Sequence, residues 1–250
     1  LLERLKYQSM RKVKNFPFLM GQGVWIDSEK LGTEDSVAEV IKHGSLTVGF
    51  IGLAETLIAL TGKHHGESEE SQNLGLKIIG TMRKMCDSKS EETNLNFALM
   101  ATPAEGLSSR FTKLDKVKYG IIDGITDKEF YTNSFHIPVY YNIDMYNKLR
   151  LEAPYHALTN GGHISYVEYD GDPTENIEAF KSIVRMMHDA GIGYGAINHA
   201  VDHCTVCGYT GVINDECPIC GNNGTDGISM DKLVELSKKY SFIKIPKKYD

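Results

Sequence analysis

Cys204, Cys207, Cys217 and Cys220 stand in the spacing C-x2-C-x9-C-x2-C, in a chain with one other cysteine, Cys86. A disulfide framework spreads its cysteines to close long loops. A Cys-x-x-Cys turn instead aims two sulfurs at one point, and two such turns complete a tetrahedron around a single ion. Gly208 and Gly221 follow the two turns and permit the left-handed backbone they need. Four soft anionic ligands select zinc; an iron centre of the one-iron type, two redox dithiols and surface thiols without a role are the alternatives. A closed four-sulfur shell has no open position for substrate, so the metal is structural. The quartet says what is pinned down without saying what is catalysed.

The rest of the chain bounds the answer. With 250 residues, 41% of them hydrophobic, it can bury the core of one large domain and a small appendage. The net charge of −6 and the lack of a broad basic run speak against a nucleic-acid partner. Lysines gather only in residues 237–248, where a solvated terminal helix accounts for them. The longest apolar stretch, residues 46–60, contains Glu55 and is too short for a membrane span, and nothing resembles a signal peptide. The expectation is a soluble cytoplasmic protein in a reducing compartment, with no membrane partner. The first residue is Leu1 rather than methionine, which suggests a piece of something longer.

Periodicity predicts an α/β chain. Residues 1–14 are basic and helix-prone, 33–44 carry helix start and stop signals, and 45–61 read as a largely buried helix ended by Gly62. Residues 68–88 place Leu74, Ile78, Met82 and Met85 at helical spacing, with Cys86 beside that stripe. A strand over 94–102 runs through Pro103 into a helix over 104–116, and 117–142 reads as irregular with a short strand. A helix over 143–153, a strand over 163–170, a capped helix over 174–191 and a strand over 192–200 follow. The repeated β-then-α rhythm predicts a mixed or parallel sheet covered by helices. A cysteine knuckle pair then precedes a last helix over 229–240.

The junction "LMATPAEGLSSRF" (99–111) is the second informative stretch. A strand passing through Thr102 and Pro103 into a helix start aims free amides, from Ala104 to Ser108, at one spot, and helix N-termini of this kind bind phosphate. The plainer reading is an ordinary junction in which Thr102 or Ser108 caps the helix. Among the other polar residues, His64 and His65 read as a helix-end turn against terminal carbonyls. His136, His156 and His163 read as satisfied structural histidines, and Asn133, Ser134 and Asn160 as turn formers. His203 competes as a metal ligand only if one cysteine is absent from the shell.

With these stretches in view, the chain resembles the anaerobic ribonucleoside-triphosphate reductases, the class III members of the glycyl radical enzymes, in the C-terminal half of their pattern. The resemblance is carried by "GFIGLAETLIALTGKHHGES" (49–68), "NFALMATPAEGLSSRF" (96–111), "GITDKEFYTNSFHIPVYY" (124–141), "EAPYHALTNGGHISYVEYDG" (152–171), "IGYGAINHAVDHCTVCGYTG" (192–211) and "CPICG" (217–221). It implies part of a ten-stranded α/β barrel of the glycyl radical enzyme type with a C-terminal zinc ribbon: later barrel strands and helices in 1–200, the four-cysteine ribbon in 201–223, and a short helix and tail in 224–250. It also implies reduction of ribonucleoside triphosphates to deoxyribonucleotides, with formate as reductant, an S-adenosylmethionine-dependent iron–sulfur activating protein as partner, and a homodimer.

By the same resemblance, Thr102, Ala104, Glu105, Gly106, Leu107 and Ser108 hold substrate phosphates, and Cys204, Cys207, Cys217 and Cys220 hold the zinc that positions a radical-bearing tail. Residues 221–250 carry no Arg-x-x-Gly-Tyr radical motif, and Cys86 lies in the wrong context for the substrate-oxidising cysteine. These 250 residues alone are therefore not expected to turn over substrate, whether as a fragment, one piece of a split enzyme or a degenerate paralogue. The alternative is a non-catalytic zinc-ribbon module on an α/β scaffold that binds a partner protein or nucleic acid.

Overall fold

The computed structural model describes residues 1–169, 174, 176–199, 202–213 and 216–223. The helix expected over 229–240 lies outside them. The first 44 residues build a small helical cluster of their own. Helices α1 (Leu2–Ser9), α2 (Pro17–Gly21) and α3 (Ala38–Ile41) surround Val13, Met20, Val37 and Val40, with Phe16, Trp25 and Leu31 packed alongside. Only one turn of the helix expected over 33–44 forms.

Residues 45–61 are not one helix. β1 (Ser45–Phe50) precedes α4 (Leu53–Thr61), and Gly52 breaks the two apart with φ of 72°. The "SLTVGF" stretch carries β-branched and aromatic side chains that fit a pleated surface, and its register with a neighbour outweighs the apolar run that reads as helix. The long helix α5 (Glu69–Thr93) starts at Ser68, whose hydroxyl accepts the Ser71 amide. Its buried face runs through Ser71, Gln72, Gly75, Ile79 and Cys86, while Met85 is 68% exposed. Leu74, Ile78 and Met82 only flank the core, so the expected stripe is rotated from the face that is buried.

β2 (Asn96–Ala101) pairs in parallel with β1, Ser45 opposite Asn96 through Phe50 opposite Ala101. α6 (Glu105–Tyr119) leaves it at once. The expected short strand in 117–142 is absent among the described residues: that segment winds as turns until α7 (Met145–His156). Beyond α7, residue 162 makes a single parallel bridge with Met100, and the Gly161 amide donates to the Leu99 carbonyl at 2.8 Å. The chain thus touches the free edge of β2 on its way into β3 (Ser165–Tyr169). α8 (Ile177–Ala190), capped by Asn176 and stopped at Gly191, then carries the chain to β4 (Gly195–His199), parallel to β3. The strands β5 (Asp202–His203) and β6 (Thr210–Gly211) form a short antiparallel hairpin in the cysteine segment. No helix among the described residues is long and apolar enough to cross a membrane.

Strand alternation sorts the side chains into two faces. Leu46, Val48, Phe50, Phe97, Leu99 and Ala101 enter a core shared with Leu53, Leu57, Ile79, Phe135 and Tyr155. Val167, Tyr169 and Ile197 enter another with Leu149, Ile183 and Met187. The alternate residues Thr47, Gly49, Ala98, Met100, Tyr166, Glu168, Ala196 and Asn198 belong to neither core. The two parallel pairs are separate two-stranded ladders, and each sends one set of alternating side chains into a core shared with helices.

Candidate functional site

The metal-binding groups converge. The Sγ atoms of Cys204, Cys207, Cys217 and Cys220 all lie within 4.8 Å of one another, Cys204 to Cys220 at 3.6 Å and Cys207 to Cys217 at 3.5 Å. Four sulfurs at about 2.3 Å from a zinc ion stand about 3.8 Å apart, so the cluster has the right size for that ion. None is in a disulfide. The two knuckles repeat one backbone pattern. Gly208 N–H donates to Cys204 O and Gly221 N–H to Cys217 O, each at 2.8 Å, and the Cys204 and Cys217 amides donate to Tyr209 O and Asn222 O at the same distance. Gly208 and Gly221 take φ of 77° and 69°, as the sequence demands.

Amides also face the sulfurs. The Cys207 amide, with help from the Asn222 side chain, holds the Cys204 thiol down at about 6, and Asn222 Nδ2 lies 3.6 Å from its Sγ. A thiolate at Cys204 then disfavours charge on its neighbours, and only a cation lets all four lose their protons. His203 is outside the shell: its Nδ1 meets Thr210 Oγ1 at 3.0 Å.

The strand-to-helix junction is the second site. α6 begins at Glu105 with Ala104 as its cap residue, which has no side chain to satisfy the first amides. The helix itself offers no acceptor to the amides of Glu105, Gly106 and Leu107, and Ser108 N–H is the first to bond back, to Ala104 O at 2.9 Å. Gly106 and Leu107 are exposed. Two expected residues differ. The Ala104 amide is taken by Asn133 Oδ1 at 3.0 Å, and Ser108 is 1% exposed, so neither presents itself as openly as Gly106 and Leu107. The Thr102 amide donates to Phe50 O at 3.2 Å, and its hydroxyl lies against Gly49 of β1.

Around this junction lies a polar network that the sequence did not announce. Glu152 is fully buried on α7: its Oε1 accepts from Lys148 Nζ at 2.9 Å, from the Ile137 amide at 3.1 Å and from His136 Nδ1 at 3.3 Å. Its Oε2 accepts from the Ser165 hydroxyl at 2.7 Å. Burial alone raises such a carboxyl, but Lys148 and His136 hold it well below the usual range. The Ser165 hydroxyl donates its hydrogen bond to Glu152, so His156 Nε2, 2.9 Å away, donates to Ser165 while its Nδ1 accepts the Gly193 amide at 3.0 Å. That neutral tautomer agrees with burial pushing His156 down to about 4. The Lys148 ammonium finishes on Tyr166 O at 2.9 Å.

His65 Nε2 lies 2.7 Å from Phe135 O, and burial pushes its imidazole to about 4. His64 Nδ1 accepts the Gly66 amide, so this pair serves local turns and a distant loop rather than helix-end carbonyls. His163 Nδ1 bonds to Thr159, and Asn160 Oδ1 takes the Leu99 amide at 3.0 Å. On the face of the second strand pair turned away from its helix-packed core, Glu168 and Asn198 of adjacent strands meet at 3.3 Å, and burial pushes the Glu168 carboxyl up to about 7. Spacing did not single out Lys148, Glu152, Glu55 or Glu168; their partners are distant in sequence. A glutamate alternating with apolar residues in "SYVEY" was the one available signal.

Comparison with known proteins fits this geometry. A family model described as anaerobic ribonucleoside-triphosphate reductase matches residues 1–231. The anaerobic ribonucleoside-triphosphate reductase of Escherichia coli K12 is 35% identical over 242 residues, covering 94% of this chain and 33% of the relative. That of enterobacteria phage T4 is 36% identical over 226 residues, covering 87% and 34%. Among solved structures, the anaerobic ribonucleotide reductase from Thermotoga maritima with dATP in its specificity site superposes with a TM-score of 0.62 at 21% identity, over 84% of this chain and 34% of that one. Another anaerobic ribonucleotide reductase gives 0.60 at 24% identity, over 71% and 28%. The chain spans about one third of the curated relatives it matches, and on that match it belongs to the anaerobic ribonucleoside-triphosphate reductase family.

Proposed function

We propose that this chain forms part of the substrate-holding wall of an α/β barrel that reduces ribonucleoside triphosphates to deoxyribonucleotides. The observation that carries the reading is the β2–α6 junction, where the first helix amides, which have no acceptor within the helix and no capping side chain at Ala104, stand at the end of a parallel strand. Ligands of parallel α/β sheets bind at the carboxyl ends of strands, and a helix N-terminus favours an anionic oxygen by ~0.3–1 kcal/mol. Glu105, Gly106 and Leu107 present amides to the phosphates, with Thr102 beside them. Ala104 and Ser108 support the turn from within.

The two helix-backed parallel strand pairs support the barrel, and on the second pair Glu168 and Asn198, on the face turned away from its helix-packed core, are suited to line an interior. A carboxyl with a pKa near neutrality can hold or release a proton there. Zinc, bound by Cys204, Cys207, Cys217 and Cys220, supplies a fixed cross-link in the ribbon. Formate as reductant, an S-adenosylmethionine-dependent iron–sulfur activating protein and a homodimer belong to the same proposal, as does a glycyl radical. Its expected tail, residues 224–250, lies outside the described structure.

Calorimetric titration of the zinc-loaded chain with ATP and CTP, beside a mobility-shift assay with duplex DNA, tests the reading. Nucleotide binding without DNA retention is expected. Retention of DNA with no nucleotide heat would favour the zinc-ribbon partner module.

A further inference from the structure

Residues 132–137 form an irregular segment in the protein interior. Thr132, Asn133, Ser134, Phe135, His136 and Ile137 are each at most 5% exposed. Irregular backbone normally runs over the surface, because buried amides and carbonyls need partners. Here the partners come from side chains and turns far away in sequence. Glu55 Oε1, on α4, accepts both the Thr132 amide at 2.8 Å and the Thr132 hydroxyl at 2.6 Å. The Gly52 amide donates to Thr132 O at 2.7 Å. His65 bonds to Phe135 O, and Glu152, on α7, accepts the Ile137 amide and faces His136. Within the segment, Ser134 is held at φ of 45°, a left-handed conformation uncommon for a residue with a Cβ and one that clusters at functional sites. The segment's outward product is Asn133, whose Oδ1 receives the Ala104 amide at the entry of α6.

We propose that Glu55 and Glu152 are positioning residues: from α4 and α7 they clamp the buried 132–137 turn, and through Asn133 that turn fixes the direction of the first amides of α6. The inference rests on the phosphate-holding reading of that helix end and names what orients it. The two carboxylates do unlike jobs. Glu152 is a charged hub shared by Lys148, His136 and Ser165, whereas Glu55 Oε2 is buried with no hydrogen-bond partner, so one acceptor oxygen is all the clamp takes from Glu55. An amide can supply that oxygen as well as a carboxyl can.

The test uses the zinc-loaded 250-residue chain, inorganic tripolyphosphate as probe by calorimetry, and amide hydrogen exchange at Ala104–Ser108, with far-UV circular dichroism and zinc content as checks of folding. Asn133→Ala is expected to weaken tripolyphosphate binding about tenfold, as loss of one well-placed hydrogen bond does, and to speed exchange at Ala104. Glu55→Ala should follow it, and Glu55→Gln should restore wild-type affinity, which a purely space-filling role would not require. If Glu55→Ala fails to fold, Asn133→Ala and Thr132→Val carry the test alone. Wild-type affinity and protection in Asn133→Ala, with wild-type binding intact, would overturn the clamp and leave the phosphate reading standing. A wild-type chain that takes up no tripolyphosphate would overturn the phosphate reading and the clamp with it.

Discussion

At the scale of single residues, the chemistry is set by which carboxyls are charged. Glu152 and Glu168 are both half-hidden from a linear reading, yet their surroundings push them in opposite directions: Lys148 and His136 outweigh burial at Glu152, while burial prevails at Glu168. The Glu168 shift has a consequence for stability. Its folded pKa, about 7, lies above the ordinary 4.5, so the folded state holds a proton that the unfolded chain has lost. Its contribution is complete below about pH 4.5 and drains away as pH rises towards 7. Glu168→Gln does not titrate, so its stability relative to wild type should improve between pH 5 and pH 7.5. The gain is at most about 1.4 kcal/mol per pH unit, less what solvent screening removes at this partly exposed group. Urea midpoints at the two pH values read the effect, and a constant difference would mean that Glu168 keeps an ordinary pKa. The four cysteines were legible because metal geometry fixes their spacing in sequence. The glutamates were not, since Glu55 meets Thr132 and Glu152 meets Ser165 only once helices and strands have packed.

At the scale of elements, local signals were reliable where caps and breakers mark the ends. Ser68 and Gly62 bound α5 and α4, and Asn176 and Gly191 bound α8. They failed at 45–61, where an apolar run is compatible with helix or buried strand and the pairing of β1 with β2 decides. On α5 the apolar spacing of Leu74, Ile78 and Met82 does not mark the buried face, where a glycine rather than an apolar side chain meets Tyr155 of α7. A Cβ placed on Gly75 would sit 2.4 Å from Tyr155 Oη, the hydroxyl that donates to Gln72 Oε1 at 3.0 Å. Gly75→Ala should therefore cost about 1–3 kcal/mol through overpacking between α5 and α7. Tyr155→Phe removes the colliding oxygen, so the double variant should be more stable than the sum of the two single losses implies. Additive losses in thermal unfolding would place the strain elsewhere.

At the scale of the whole molecule, membership of the reductase family and two helix-backed parallel strand pairs agree on an α/β chain that spans about a third of the length of its relatives. The β-then-α rhythm made the class visible, because each parallel pair needs a crossover and each crossover leaves a helix signature. The single bridge between Met100 and Gly162, which brings β2 alongside the approach to β3, left no such mark; it depends on a glycine pair and on Asn160 taking the Leu99 amide. The central claim is that the first turn of α6 receives the phosphates of a ribonucleoside triphosphate. Backbone amide NMR of the zinc-loaded chain titrated with CTP tests it most directly. The account predicts the largest saturable shifts at Glu105, Gly106 and Leu107, with smaller ones at Ala104 and Asn133. Shifts confined to the cysteine knuckles or to the first 44 residues, or no shifts at all, would contradict it.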